Sequence, residues 1–148
     1  MTHASTFIED CLVNLFDRLR KLAFSQNPLQ DSGVTIPQLT LLDWIASSPG
    51  CNIQAIVEGL GLTAPTVSVG VRRLEKAGLL ERQPDPVDGR AIQLFLTTPG
   101  HALCQQALDF RQDKMRLLLK ELTAEESTIF VTLFERAISA AEKDTRVV

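Results

Sequence analysis

The sequence has no tyrosine, one tryptophan and two histidines, and its three cysteines, Cys11, Cys51 and Cys104, lie far apart. An odd number of scattered thiols fits reduced cysteines better than a disulfide framework or a zinc cluster. With only His3 and His101 to add, a metal site is poorly supplied, so no metal or cofactor is expected. No apolar run approaches the roughly 18 residues that a membrane-spanning helix needs. The N-terminal MTHASTFIEDCL carries acids where a signal peptide would carry a basic segment. A cytoplasmic protein with no membrane partner is expected. A glycine-rich phosphate loop, a nucleophilic triad and a carboxylate pair beside a base are also missing, so the residues offer no enzyme chemistry.

What is present fits one small domain with helical extensions: 148 residues, 45% apolar and 22% charged. The net charge of −3 is unevenly spread. Residues 1–62 sum to −3 and residues 97–148 to −1, whereas residues 63–94 sum to +1 through Arg72, Arg73, Lys76, Arg82 and Arg90. Only the middle of the chain escapes the acidic balance, and the placement of its arginines must carry any functional argument.

Periodicity predicts a mainly α protein with one small β-hairpin. Phe7, Ile8, Cys11, Leu12, Leu15, Phe16, Leu19, Leu22 and Ala23 form an apolar stripe at helical spacing, followed by loop chemistry over S25-Q-N-P-L-Q-D-S-G33. A second helix starts near Ile36 behind Thr35 and stops at S47-S-P-G50. Then come two short helices, I53–L60 and A64–A77. Gly61 supplies the turn, Thr63 the N-cap and Gly78 the C-cap, which is the layout of a helix-turn-helix. L79-L-E-R82 and A91-I-Q-L-F-L96 bracket a long-tipped hairpin. A helix from about Pro99 to Glu121 carries two apolar stripes, and a capping box at T123-A-E-E126 opens the last helix. These boundaries suggest residues 1–34 as a dimerisation helix and loop, 35–96 as the winged helix-turn-helix, and 97–148 as dimerisation helices. The apolar stripes of the terminal helices need a partner surface, which a second copy supplies most simply, so a homodimer is expected.

On the second helix of the motif, at about 100° per residue, Val67, Gly70, Val71, Leu74 and Gly78 share the core side, with Gly70 letting another helix approach. Pro65, Thr66, Ser68, Val69, Arg72, Arg73 and Lys76 lie toward the other side. A basic helix face is often no more than a solvated one. Here it follows the right turn and precedes a hairpin, and a short, polar, basic face suits the major groove of double-stranded DNA. A winged helix that docks on an acidic protein is the competing class.

The I56-V-E-G-L-G-L-T-A-P-T-V-S68 turn, the V71-R-R-L-E-K-A-G-L-L-E-R82 run, the D85-P-V-D-G-R90 tip and L96-T-T-P-G100 follow one another in the order and spacing of the MarR family of transcriptional regulators, which the chain resembles along nearly its whole length. The resemblance implies a dimer built from the first and last two helices, repression from a pseudo-palindromic operator, and release by a small, often phenolic or aromatic ligand, by oxidation or occasionally by metal. By position Arg90 resembles the wing arginine that enters the minor groove. Asp88 is either the acid that steadies the wing or a plain turn former. Val69 and Gly70 depart from the family pattern, as does Gly89 where a second wing arginine is common. Fewer base contacts, a weaker wing grip and a steep salt response are expected.

Two release signals are open. Cys11 lies in the first helix, as in the hydroperoxide-sensing branch, but that branch uses tyrosines that this chain lacks, and in an apolar stripe a buried, inert thiol is the commoner outcome. Arg111 sits within the apolar stripe of the long helix. It either pairs with a carboxylate such as Asp10, Asp17 or Asp43, or snorkels to water, or anchors the carboxylate of an aromatic effector with Phe16 and Trp44 as walls. Taken alone, Trp44 fits a core role better.

Overall fold

The structure, a computed structural model, describes residues 2–25 and 31–145. Residues 26–30 of the expected loop and the side chain of His3 lie outside the described residues. The elements run α1 (Thr2–Phe24), α2 (Ile36–Ser47), α3 (Ile53–Leu60), α4 (Ala64–Lys76), β1 (Leu80–Pro84), β2 (Ile92–Leu96), α5 (Thr98–Leu119) and α6 (Ala124–Thr145). Two compact units divide the chain, Met1–Arg111 and Gln112–Val148.

In the first unit, capping chemistry sets the helix starts. Thr35 caps α2 reciprocally with Gln38: the Gln38 N–H donates to Thr35 Oγ1 at 3.4 Å, and the Thr35 N–H donates to Gln38 Oε1 at 2.8 Å. Asn52 caps α3 through the Ala55 N–H, and Thr63 caps α4 through the Thr66 N–H. Between α3 and α4 the chain turns on Gly61, whose φ of 63° lies in the left-handed region. α4 ends in a Schellman motif: the Gly78 N–H donates to the Glu75 carbonyl and the Leu79 N–H to the Leu74 carbonyl.

The core of this unit joins Leu41, Leu42 and Ile45 of α2, Ile56 of α3, Val67, Val71 and Leu74 of α4, Leu80, Leu94 and Leu96 of the hairpin, and Leu103 and Ala107 of α5. The apolar spacing of α4 therefore sorts its faces as the sequence predicts, and Gly70 lies where a Cβ would overlap the Leu41 side chain of α2. β1 and β2 pair antiparallel from Leu80 opposite Leu96 to Pro84 opposite Ile92. β1 runs two residues beyond the expected Arg82, because Gln83 and Pro84 still find partners in Gln93 and Ile92. On its other edge, Leu94 exchanges two 2.9 Å backbone bonds with Gly50 and Cys51, so β2 is not a bare edge.

α5 begins one residue earlier than expected and is held at its first turn. The Thr97 hydroxyl donates to the Gly78 carbonyl at 2.6 Å, and the Thr97 N–H to the Leu79 carbonyl at 3.1 Å. α1 turns Phe7, Ile8, Leu12 and Leu15 outward, with Phe7 69% exposed. In the second unit, the Thr123–Glu126 capping box opens α6, whose Ile129, Phe130, Leu133 and Ile138 are exposed, with the Phe130 and Phe134 rings stacked 5.8 Å apart.

Candidate nucleic-acid interface

α4 keeps Val67, Val71 and Leu74 inside, and that burial fixes what it shows outward. Pro65, Thr66, Val69, Arg72, Arg73 and Lys76 are exposed, and Ser68 is half-buried. Among the described residues none of Arg72, Arg73 and Lys76 forms an ion pair. The one acid in the last turns of the helix, Glu75, instead accepts from Arg82 Nε of β1 at 3.0 Å. That bridge ties the end of α4 to the first strand of the hairpin.

The hairpin tip is ordered from within by a carboxylate that sequence reasoning passed over. Asp85 Oδ1 accepts from the Val87 N–H at 2.8 Å and the Asp88 N–H at 3.0 Å, while Oδ2 accepts from Gln93 Nε2 at 3.0 Å. The Asp88 N–H foremost, then that of Val87 and the Gln93 amide, hold the Asp85 carboxyl below the usual carboxylate range. Asp88 makes a smaller contribution, accepting the Arg90 N–H at 3.1 Å. The signal was present in D85-P-V-D88: an aspartate opening a turn captures the N–H groups two and three residues on. Arg90 follows at the tip, exposed.

Over 130 residues the chain is 30% identical to the transcriptional regulator HosA of Escherichia coli O111:H-, covering 84% of this chain and 95% of HosA. The model of the MarR family matches residues 32–91, which run from the approach to α2 through α3 and α4 to the end of the hairpin tip. The chain belongs to the MarR family. Among solved structures, YusO of Bacillus subtilis is 25% identical with a TM-score of 0.79, covering 93% of this chain and 96% of that one. FabT of Streptococcus pneumoniae, solved in complex with DNA, shares the fold with a TM-score of 0.78 over 94% of this chain and 98% of its own, at 20% identity. As a MarR family member the chain is a DNA-binding transcriptional regulator with a winged helix fold, and not an enzyme.

The MarR fold also places the residues singled out for an effector. Arg111 Nη2 pairs with Asp43 Oδ2 at 3.2 Å, so among the three acids considered Asp43 is its partner, and both ends stay partly open to water. Beside the pair lies a hollow of about 350 Å³ lined by Asp43, Ala46 and Ser47 of α2 and His101, Cys104, Gln105, Leu108 and Arg111 of α5. Phe16 and Trp44 do not line it. Trp44 is one residue on from Asp43, about 100° around α2, and its ring sits where a Cβ on Gly59 of α3 would collide with it. Burial foremost, and then the charge of Asp43, push the Cys104 thiol up from its ordinary pKa, partly offset by Arg111. Cys11 is exposed on α1.

Proposed function

We propose that the chain is a homodimeric repressor that grips a pseudo-palindromic operator with α4 in the major groove and the hairpin tip in the minor groove, and lets go when a small aromatic ligand binds. The observation that carries this reading is the outward face of α4, where Arg72, Arg73 and Lys76 form no ion pair among the described residues while the neighbouring Glu75 is engaged by Arg82. Phosphates and guanine edges are the partners such a face suits. The Asp85-centred turn supports a wing that presents Arg90 on a prepared backbone.

Dimerisation is supported by the exposed apolar side chains of α1 (Phe7, Ile8, Leu12, Leu15) and of α6 (Ile129, Leu133, Ile138). Arg111 and the adjoining hollow support an anionic aromatic effector whose carboxylate replaces Asp43 on the guanidinium. The reading is tested by anisotropy titration of the full chain on DNA from upstream of its own gene at several salt concentrations. Saturable binding that weakens with salt is expected, and its absence at low salt refutes the reading. A second release route is oxidation of the Cys11 thiol, which lies in the same α1 stripe, so that its oxidation would disturb the dimer face. It predicts that peroxide lowers the operator affinity of the native chain and leaves Cys11→Ser unaffected.

A further inference from the structure

Apart from its cations, the outward face of α4 has few groups that can read a base by hydrogen bonding. Its sequence, APTVSVGVRRLEK, contains no asparagine or glutamine, the residues whose side chains pair with adenine through two bonds. The Thr66 hydroxyl lies 2.8 Å from the N-cap hydroxyl of Thr63, a bond that uses part of its capacity and draws it toward the cap, and its methyl is the apolar group it can offer beside Val69. Ser68 is half-buried. Val69 stands at the centre of the face, three positions from Thr66 and Arg72 and four from Pro65 and Arg73, and is 45% exposed. Against this patch lies a hollow of about 480 Å³ whose lining includes Leu41, Leu62, Pro65, Thr66, Val69 and Gly70. An apolar centre flanked by cations is complementary to one feature of the major groove, a methyl group set between phosphates, and thymine alone of the four bases carries one.

We propose that α4 identifies its half-site by the 5-methyl group of thymine, received by Val69 with Pro65 and the Thr66 methyl beside it, and that Arg72 and Arg73 hold the helix in register. This rests on α4 being the element that enters the major groove. Val69 is then a specificity-determining residue, and T·A pairs are read by apolar contact where a family member with a polar side chain at that position would use a hydrogen bond.

The test uses a duplex enriched from a randomised pool by the full-length chain, remade with deoxyuridine replacing thymidine one position at a time, which removes only the methyl. For the native chain one position per half-site should lose about fourfold in affinity, the value of one buried methyl-sized group. In Val69→Ala the same replacement should cost less than about half as much by that measure. Arg72→Ala should bind more weakly overall and keep the full penalty. A native chain that binds the duplex, is weakened by Arg72→Ala and shows no deoxyuridine penalty that depends on Val69 overturns the methyl reading alone. If Arg72→Ala and Arg73→Ala both bind like the native chain, the placement of α4 in the groove falls, and this inference with it.

Discussion

Replacing Gly100 with alanine probes the joint where the long helix α5 leaves the hairpin. Gly100 is buried in the first turn of α5, and a Cβ there would overlap the carbonyl oxygen of Leu79. Backbone cannot step aside as a flexible side-chain end can, and this carbonyl already accepts the Thr97 N–H at 3.1 Å. Its neighbour, the Gly78 carbonyl, accepts the Thr97 hydroxyl at 2.6 Å. Relieving the overlap therefore strains bonds worth about 1 kcal/mol each. Overpacking of this kind costs about 1–3 kcal/mol, against which alanine returns up to about 1 kcal/mol of helix propensity. Because the overlap is with backbone, the upper part of the overpacking range, about 2–3 kcal/mol, applies, and the net is a loss of about 1–2 kcal/mol, or about 2–8 °C in Tm for a chain of this size. Circular dichroism melts at one fixed protein concentration measure it, since association shifts Tm by mass action. Gly89→Ala serves as the control, because a Cβ there meets nothing within 4 Å and should leave Tm nearly unchanged. A Gly100→Ala protein melting at or above the native Tm would mean that propensity outweighs the clash, and would refute the close approach of α5 to the α4–β1 corner.

Arg72→Ala and Arg73→Ala should each weaken operator binding. Arg90→Ala should weaken it and also reduce the slope of log affinity against log salt by about one per protomer; an unchanged slope would mean that the tip touches neither phosphate nor groove. A chain ending at Glu121 should sediment as a monomer, and an intact dimer would exclude α6 from the interface. The Asp85 carboxyl is held below its usual value in the folded chain, so its contribution to tip order is fully present above the unfolded pKa of about 3.9 and is lost as pH falls through the lower folded value. The Val87 and Asp88 amide resonances should hold steady from neutrality to about that pH and shift below it. An Asp85 that titrates at or above the ordinary value would refute the turn geometry.

Most of the fold was legible because the helices announce their ends with local chemistry. Thr35, Thr63 and Thr123 cap where the residue type says they should, and Gly61 and Gly78 take the left-handed backbone that their neighbours could not. The faces of α4 were legible for a similar reason, since one helical period sorts Val67, Val71 and Leu74 from Arg72 and Arg73. What sequence did not reveal depends on contacts between distant residues. Trp44 and Arg111 are each ambiguous alone. Only packing shows that Gly59 receives the indole ring and that Asp43, 68 residues away, meets the guanidinium. Asp85 was missed for the opposite reason: its signal is local, but Asp88 and Arg90 drew attention to the far end of the same turn.

The net charge of −3 is compatible with a DNA-binding role because it is unevenly spread, residues 63–94 alone carrying a positive balance. Glu75 accepts from Arg82, Glu81 from the Gln83 amide, Asp85 from two backbone N–H groups and Gln93, and Asp88 from the Arg90 N–H. Each of these four acids, the only ones between residues 63 and 94, is engaged within the motif itself. Arg72, Arg73, Lys76 and Arg90 have no ion pair among the described residues. At physiological ionic strength a charge is felt over about 8 Å; of the four acids only Glu75 is offset by a cation, Arg82, while the hydrogen-bonded others keep their charge, so the local balance is the +1 of residues 63–94. Summing charge along the chain counts every acid equally, including those on α1 and α6, and so hides the positive balance of the segment that holds α4 and the hairpin tip.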